Sequence, residues 1–291
     1  MLARPLLLRV LTAGSGVLAC GVLAAIGCQE PPAAKQPSTL PTKRTVDVPT
    51  RLKLVTYNVK SCGGGLNRIV ELLRDQKADV IFLQEVASLD GGRSDQAIQI
   101  ATALGGLHVV SATTLAVPIE QHCDVAIVSR YELHDGAKYS LEPGGWVYAV
   151  GASTHALSHP SRLFSVHTHA TFRLNMTHIR ESSQTRTAQV EGLLEGVSAW
   201  RGDVIVGGDF NATPWMREYS TITRKLKDFG LADGPAEKTF PSDQPTLRID
   251  YLFERGMLAV LSYHVLDVAW SDHRPVAAVL DQTNMEPRPA R

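Results

Sequence analysis

Asp209 and Asn211 stand two residues apart in Gly207-Gly208-Asp209-Phe210-Asn211, directly after the short apolar run 204–206. One side chain offers a charged oxygen and the other a neutral amide. Residues two apart on an extended chain share a side, so the pair suits a site that holds a hard divalent cation or an activated water beside a phosphoryl oxygen. Asp and Asn are also ordinary turn residues after a strand, and the pair decides nothing alone. Groups of the same chemistry recur along the chain. Glu85 ends the run Val80-Ile81-Phe82-Leu83-Gln84, where a carboxylate must meet water, a cation or a hydrogen-bond partner because burying it unpaired is costly. His167 and His169 fall on one face of a β-rich stretch, and Asp272-His273 precedes Arg274-Pro275, a pattern that a plain turn would also produce.

These residues need elements to position them. An alternating strand is expected over 52–59, with Asn58 near its end, and a buried strand over 78–86. Apolar residues recur at helical spacing over 66–76, 94–104 and 184–200, with a further helix at 216–227. Arg186 and Gln189, near the start of the third, are expected on its solvated face. Further strands are expected over 107–111, 124–130, 145–152, 162–170, 203–207, 248–253, 258–265 and 274–280, with Gly207 and Gly208 turning the chain after the central one. Many strands, few helices and no internal repeat fit an α/β fold, a four-layer α/β sandwich of two packed mixed β-sheets flanked by helices. Asn58, Glu85, His169, Asp209, Asn211, Asp250, Asp272 and His273 all fall at or just past strand ends. One edge of the sandwich would gather them into a cleft.

Six short segments in order carry a resemblance: Thr56-Tyr57-Asn58-Val59, Leu83-Gln84-Glu85, Thr168-His169, Gly208-Asp209-Phe210-Asn211, Arg248-Ile249-Asp250-Tyr251 and Ser271-Asp272-His273-Arg274-Pro275-Val276. Together they resemble the ordered motifs of the endonuclease/exonuclease/phosphatase superfamily, over roughly 52–280. The resemblance implies Mg²⁺ (or Mn²⁺) as cofactor, with Glu85 its main ligand, Asn58 close to the metal or phosphate, and Asp272 a further metal-side carboxylate. It also implies that Asp250 holds His273, that Asp209 orients or deprotonates the attacking water, that Asn211 holds a phosphate oxygen and that His169 donates to the phosphate. Either His273 or Asp209 would serve as general base in an in-line attack on phosphorus. The chain departs from the pattern at Asp124, where many relatives carry glycine. It also shows no clear counterpart of the glutamate that pairs with the phosphate-binding histidine in the deoxyribonuclease branch.

The 291 residues balance 29 Lys+Arg against 29 Asp+Glu. Residues 1–50 carry five of the basic and two of the acidic groups, so the remainder holds 24 against 27. A chain without basic excess is not built for strong nucleic-acid binding. Arg4 and Arg9 precede an apolar run that ends at Cys28, an export-signal pattern over 1–28. Ala25-Ile26-Gly27-Cys28 resembles a lipoprotein lipobox, with Ala25 where Leu is usual; Cys20 is a second candidate, and an uncleaved anchor helix or plain secretion are the alternatives. A proline-rich tether is expected over 29–50, the catalytic domain over 51–281 and a tail over 282–291. His155 and His159 lack the His-Glu-x-x-His pattern and precede Pro160, so no separate zinc site is expected there. Cys62 and Cys123 are either a disulfide or two thiols, and Trp146, Trp215 and Trp270 are core or cleft-mouth residues. The expectation is an exported, membrane-anchored monomer that hydrolyses a phosphate ester, lipid-like or small in preference to long DNA. A secreted nuclease and a catalytically silent surface binding module are the alternatives.

Overall fold

Period-two alternation sets the layers. In β1 (Arg51–Asn58) Leu52 and Leu54 join one apolar cluster and Val55 and Tyr57 another, all fully buried. A strand buried on both faces lies between two layers. β2 (Val80–Val86) divides likewise, with Val80 and Phe82 on the first face and Ile81 and Leu83 on the second. The computed structural model describes residues 49–89, 94–111, 114–115, 124–143, 148–157, 159–171, 175–231, 237–256 and 258–282.

The strands β3 (Ser88–Leu89) and β4 (Ser94–Asp95) form a small ladder of their own. β5 (His108–Ser111), β6 (Asp124–Ser129), β13 (Ala259–Val265) and β14 (Val276–Asp281) complete the first sheet, in the order β13-β14-β1-β2-β6-β5. The second sheet runs β11-β12-β10-β9-β8-β7, from β7 (Leu133–Ser140), β8 (Tyr148–Thr154), β9 (Ser161–His167), β10 (Asp203–Asp209), β11 (Lys227–Asp228) and β12 (Asp250–Arg255). Each sheet is mixed, because β1 and β2 pair in parallel, as do β9 and β10, while the other pairs are antiparallel. Between the sheets, Leu54, Phe82 and Ile127 meet Leu163, Ile205 and Leu252. α1 (Leu66–Gln76) and α2 (Gln96–Ala103) cover the outer face of the first sheet through Ile69, Leu73 and Ile100. α3 (Met176–Ala199) and α4 (Arg217–Thr223) cover the second through Val190, Leu193 and Ile222. The result is the four-layer α/β sandwich.

Several elements differ from the sequence-based expectation, the short strands β3, β4 and β11 among them. β7 was not anticipated, because Leu-His-Asp-Gly-Ala-Lys-Tyr-Ser is a polar edge strand with no apolar period. α3 starts at Met176 rather than 184: the Asn175 side chain accepts from the His178 N–H and caps turns that carry no apolar stripe. β10 continues through Gly207 and Gly208 to Asp209, so these glycines do not turn the chain. They allow close approach instead. A Cβ on Gly207 would lie 2.5 Å from the Phe82 ring of the facing sheet, and one on Gly208 would lie 2.2 Å from the Val166 carbonyl oxygen. The proposed export signal, Cys20, Cys28, Cys123, Trp146, most of the tether and all of the tail after residue 282 lie outside the described residues. Among the described residues, no helix is long and apolar enough to cross a membrane.

Candidate active site

Strand ends from both sheets converge on one edge. Asp209 closes β10, in register with His167 at the end of β9 and with Asp250 at the start of β12. Asn58 closes β1. These four share the parity of Leu54, Leu163, Ile205 and Leu252, which face the space between the sheets. Glu85 does not, since Ile81 and Leu83 turn toward the helices. A β-bulge corrects its direction. The register of β2 with β6 shifts between Gln84 and Val86, and Glu85 takes the left-handed conformation at φ 53°. Asn58 Nδ2 then donates to Glu85 Oε1 at 2.9 Å and to Asp209 Oδ2 at 3.1 Å, so one amide joins carboxylates from the two sheets. Asp124, the departure noted in the sequence, pairs its backbone with Val86 beside this bulge.

His273, in the turn before β14, lies with Nδ1 2.9 Å from Asp250 Oδ2 and Nε2 3.8 Å from Asp209 Oδ2. Burial opposes its protonation, but Asp250 and Asp209 outweigh burial and push its pKa up to about 10. Burial raises the Asp209 pKa, while His273 pulls the other way. Asn211, left-handed at φ 46°, donates its backbone N–H to Asp209 Oδ1 at 2.8 Å and its amide to the Thr168 carbonyl at 3.0 Å. Asp272 sits at the rim, where Lys60 Nζ approaches Oδ2 to 2.6 Å. The Lys60 backbone N–H donates to Asn58 Oδ1. Six of the eight expected residues are thus joined in one cleft by direct contacts, and Asp272 joins it as the seventh through Lys60.

His169, the eighth, is held from behind. Its backbone N–H donates to Gln189 Oε1 at 2.9 Å, and its carbonyl accepts from Arg186 at 3.3 Å. Burial, with Arg186 and His167 nearby, lowers its pKa and favours the neutral ring. Arg186 and Gln189 are therefore not on a solvated helix face: both are fully buried, and Arg186 pairs with Glu218 of α4 at 2.9 Å. Helical period alone could not place them, because their partners are polar groups distant in the chain: the His169 backbone, Thr171, the Pro143 carbonyl and Glu218. Trp215 is 73% exposed, whereas Trp270 packs against the α1 cluster. Sequence analysis also gave no part to His167. Its ring Nε2 lies 3.7 Å from Glu85 Oε1 and 3.6 Å from Asp209 Oδ2.

The model of the endonuclease/exonuclease/phosphatase family matches residues 55–273, a span that includes every residue of this cleft. The chain belongs to that family. An endonuclease/exonuclease/phosphatase family protein from Bacteroides thetaiotaomicron shares the fold at TM-score 0.64 and 18% identity, covering 80% of this chain and 98% of its own. A mannosyl-6-phosphatase of the same species matches at TM-score 0.61 and 18% identity, over 79% and 99% of the two chains. Humanized TDP2 of D. rerio matches at TM-score 0.65 and 15% identity, over 80% and 100%. No curated protein sequence matches. Endonuclease/exonuclease/phosphatase proteins are hydrolases of phosphate esters and generally depend on a metal. The cleft has ligands for one: Glu85, His167 and Asp209 form one group, and Asp209, Asp250 and His273 another, with the ligand atoms of each within 4.8 Å of one another.

Proposed function

We propose that this chain is an exported, membrane-anchored, Mg²⁺-dependent phosphoric ester hydrolase acting on a small or lipid-like ester. The observation that carries the chemistry is the line Asp250–His273–Asp209. A ring held at Nδ1 by a buried carboxylate presents Nε2 toward a second buried carboxylate, as proton transfer at a fixed point requires. Asp209 orients the attacking water, and His273 exchanges its proton with the cleft. Asn211 and neutral His169 flank the phosphate. Glu85 would be the principal metal ligand, with Asn58 and Asp272 as further metal-side groups; Mg²⁺ would supply charge to offset that on the phosphoryl oxygens. Three more acidic than basic groups beyond residue 50 favour a small or lipid-like ester over duplex DNA. The Cys28 segment supports a lipid anchor and, with it, a place in the cell envelope.

The test is hydrolysis of bis(p-nitrophenyl) phosphate by the full chain, with Mg²⁺ and with chelator, beside His273→Ala. Mg²⁺-dependent turnover should fall by about 10²–10⁴ in the variant. Turnover unchanged by either chelator or substitution would reject the site. Partition of the native protein into a detergent phase tests the anchor separately, and recovery from the aqueous phase alone would reject it.

A further inference from the structure

The space between the sheets has a second edge, opposite the catalytic one. β12 starts at Asp250 in the cleft and reaches Glu254 four residues later, roughly 13 Å along the strand. Glu254 shares the parity of Leu252, so it faces between the sheets. Beside it opens a pocket of about 460 Å³, with Leu226, Phe229, Leu258 and Val260 as its apolar lining and Lys227 and Glu254 as charged groups. Asp228 also borders the pocket, but its carboxylate is taken by Arg248 and Tyr219.

Glu254 is only 2% exposed, and a buried carboxylate needs partners for both oxygens. Lys227 Nζ reaches Oε1 at 3.3 Å from a side chain that is 74% exposed. Among the described residues, Oε2 makes no hydrogen bond. A second buried carboxylate stands next to it, since a Cβ added to Gly256 would lie 2.7 Å from Asp203 Oδ1 and 3.3 Å from Glu254 Oε2. Burial raises the Glu254 pKa; Lys227 and the Leu258 backbone N–H oppose that, and Asp203 adds to it. Arg255 does not relieve Glu254, because its guanidinium donates to the carbonyls of Val197, Trp200 and Gly202. An apolar pocket with an unmatched acceptor in its wall suits a ligand with an apolar body and one donor. The neighbouring Asp203 makes a cationic donor better than a neutral one.

We propose that this pocket binds a small primary alkylammonium, its alkyl chain against Leu226, Phe229 and Leu258 and its ammonium donating to Glu254 Oε2. The site is separate from the catalytic cleft, at the other end of β12, and binding there does not depend on hydrolysis.

The experiment is a methyl NMR titration of the full chain with hexylammonium at about pH 8, where an alkylamine is protonated, beside hexanol and hexanoate as neutral and anionic probes of the same length. Hexylammonium should shift the Leu226, Leu258 and Val260 methyls saturably. Hexanol should bind about tenfold more weakly or worse, because it lacks the charged donor, and hexanoate more weakly still. Glu254→Gln should weaken hexylammonium by about tenfold or more and leave hexanol little changed. Methyls indifferent to hexylammonium, hexanol or hexanoate bound as tightly, or undiminished hexylammonium affinity in Glu254→Gln would each overturn the proposal. Should the variant not fold, the order of the three probes on the native chain still decides, because only an unpaired carboxylate ranks cation above alcohol above anion.

Discussion

At the scale of single residues the cleft works by setting protons against burial. His273 is almost fully enclosed, and an enclosed imidazole ordinarily prefers to be neutral. Asp250 and Asp209 reverse that preference, so in the metal-free chain the ring is imidazolium at neutral pH. Its folded-state pKa lies above the ordinary 6.5, so protonation favours the folded state. The contribution is complete below about pH 6.5 and is lost as the pH rises through about 10. The denaturant midpoint of the metal-free protein, compared with His273→Gln between about pH 6 and pH 11, should show a gap that closes over that window. A gap independent of pH would mean that the carboxylates do not hold the proton. Asn58 acts differently, since its amide donates to both Glu85 and Asp209 and so spans the two sheets at their edge.

At the scale of elements, the site depends on how closely the two sheets approach. Gly207 of β10 faces Phe82 of β2, and an added Cβ would sit 2.5 Å from the ring and 2.9 Å from the Phe82 Cβ. The strand cannot step back, because β9 and β12 pair with it on both sides. Gly207→Ala should therefore destabilise the protein by about 1–3 kcal/mol, read from urea unfolding. An unchanged midpoint would show that the sheets separate more easily than their packing implies. α3 has a comparable role on the other side. Its buried Arg186 and Gln189 grip the backbone of His169, so a helix of the outer layer fixes the chain just past the end of β9.

At the scale of the whole described unit, the cleft concentrates negative charge. Glu85, Asp209, Asp250 and Asp272 gather at one edge, offset by His273 and Lys60. A cation that binds only the folded chain must stabilise it, by about 2.7 kcal/mol at a hundred times its Kd. Mg²⁺ should raise the unfolding temperature and chelator should lower it. Glu85→Gln should remove most of the difference. An unfolding temperature indifferent to Mg²⁺ in the native chain would argue against a metal at this edge.

Much of this was legible without coordinates. The alternating runs around Leu54, Phe82 and Ile205 specify buried strands, because side-chain direction follows period two whatever the neighbours are. The ordered segments from Asn58 to His273 likewise specify the cleft, since each chemical group stands at a strand end. Other features required the folded chain. Parity directs Glu85 toward the helices, and only the bulge against β6, a matter of pairing between distant strands, turns it into the cleft. Arg186 and Gln189 are polar residues on a helix, and burial there depends on the polar groups they meet past the end of β9 and on α4. Gly207 and Gly208 resemble turn glycines locally; their purpose is the distance to another sheet. His167 could be placed on a strand face from the sequence, but only tertiary packing sets it between Glu85 and Asp209, 82 and 42 residues away in the chain.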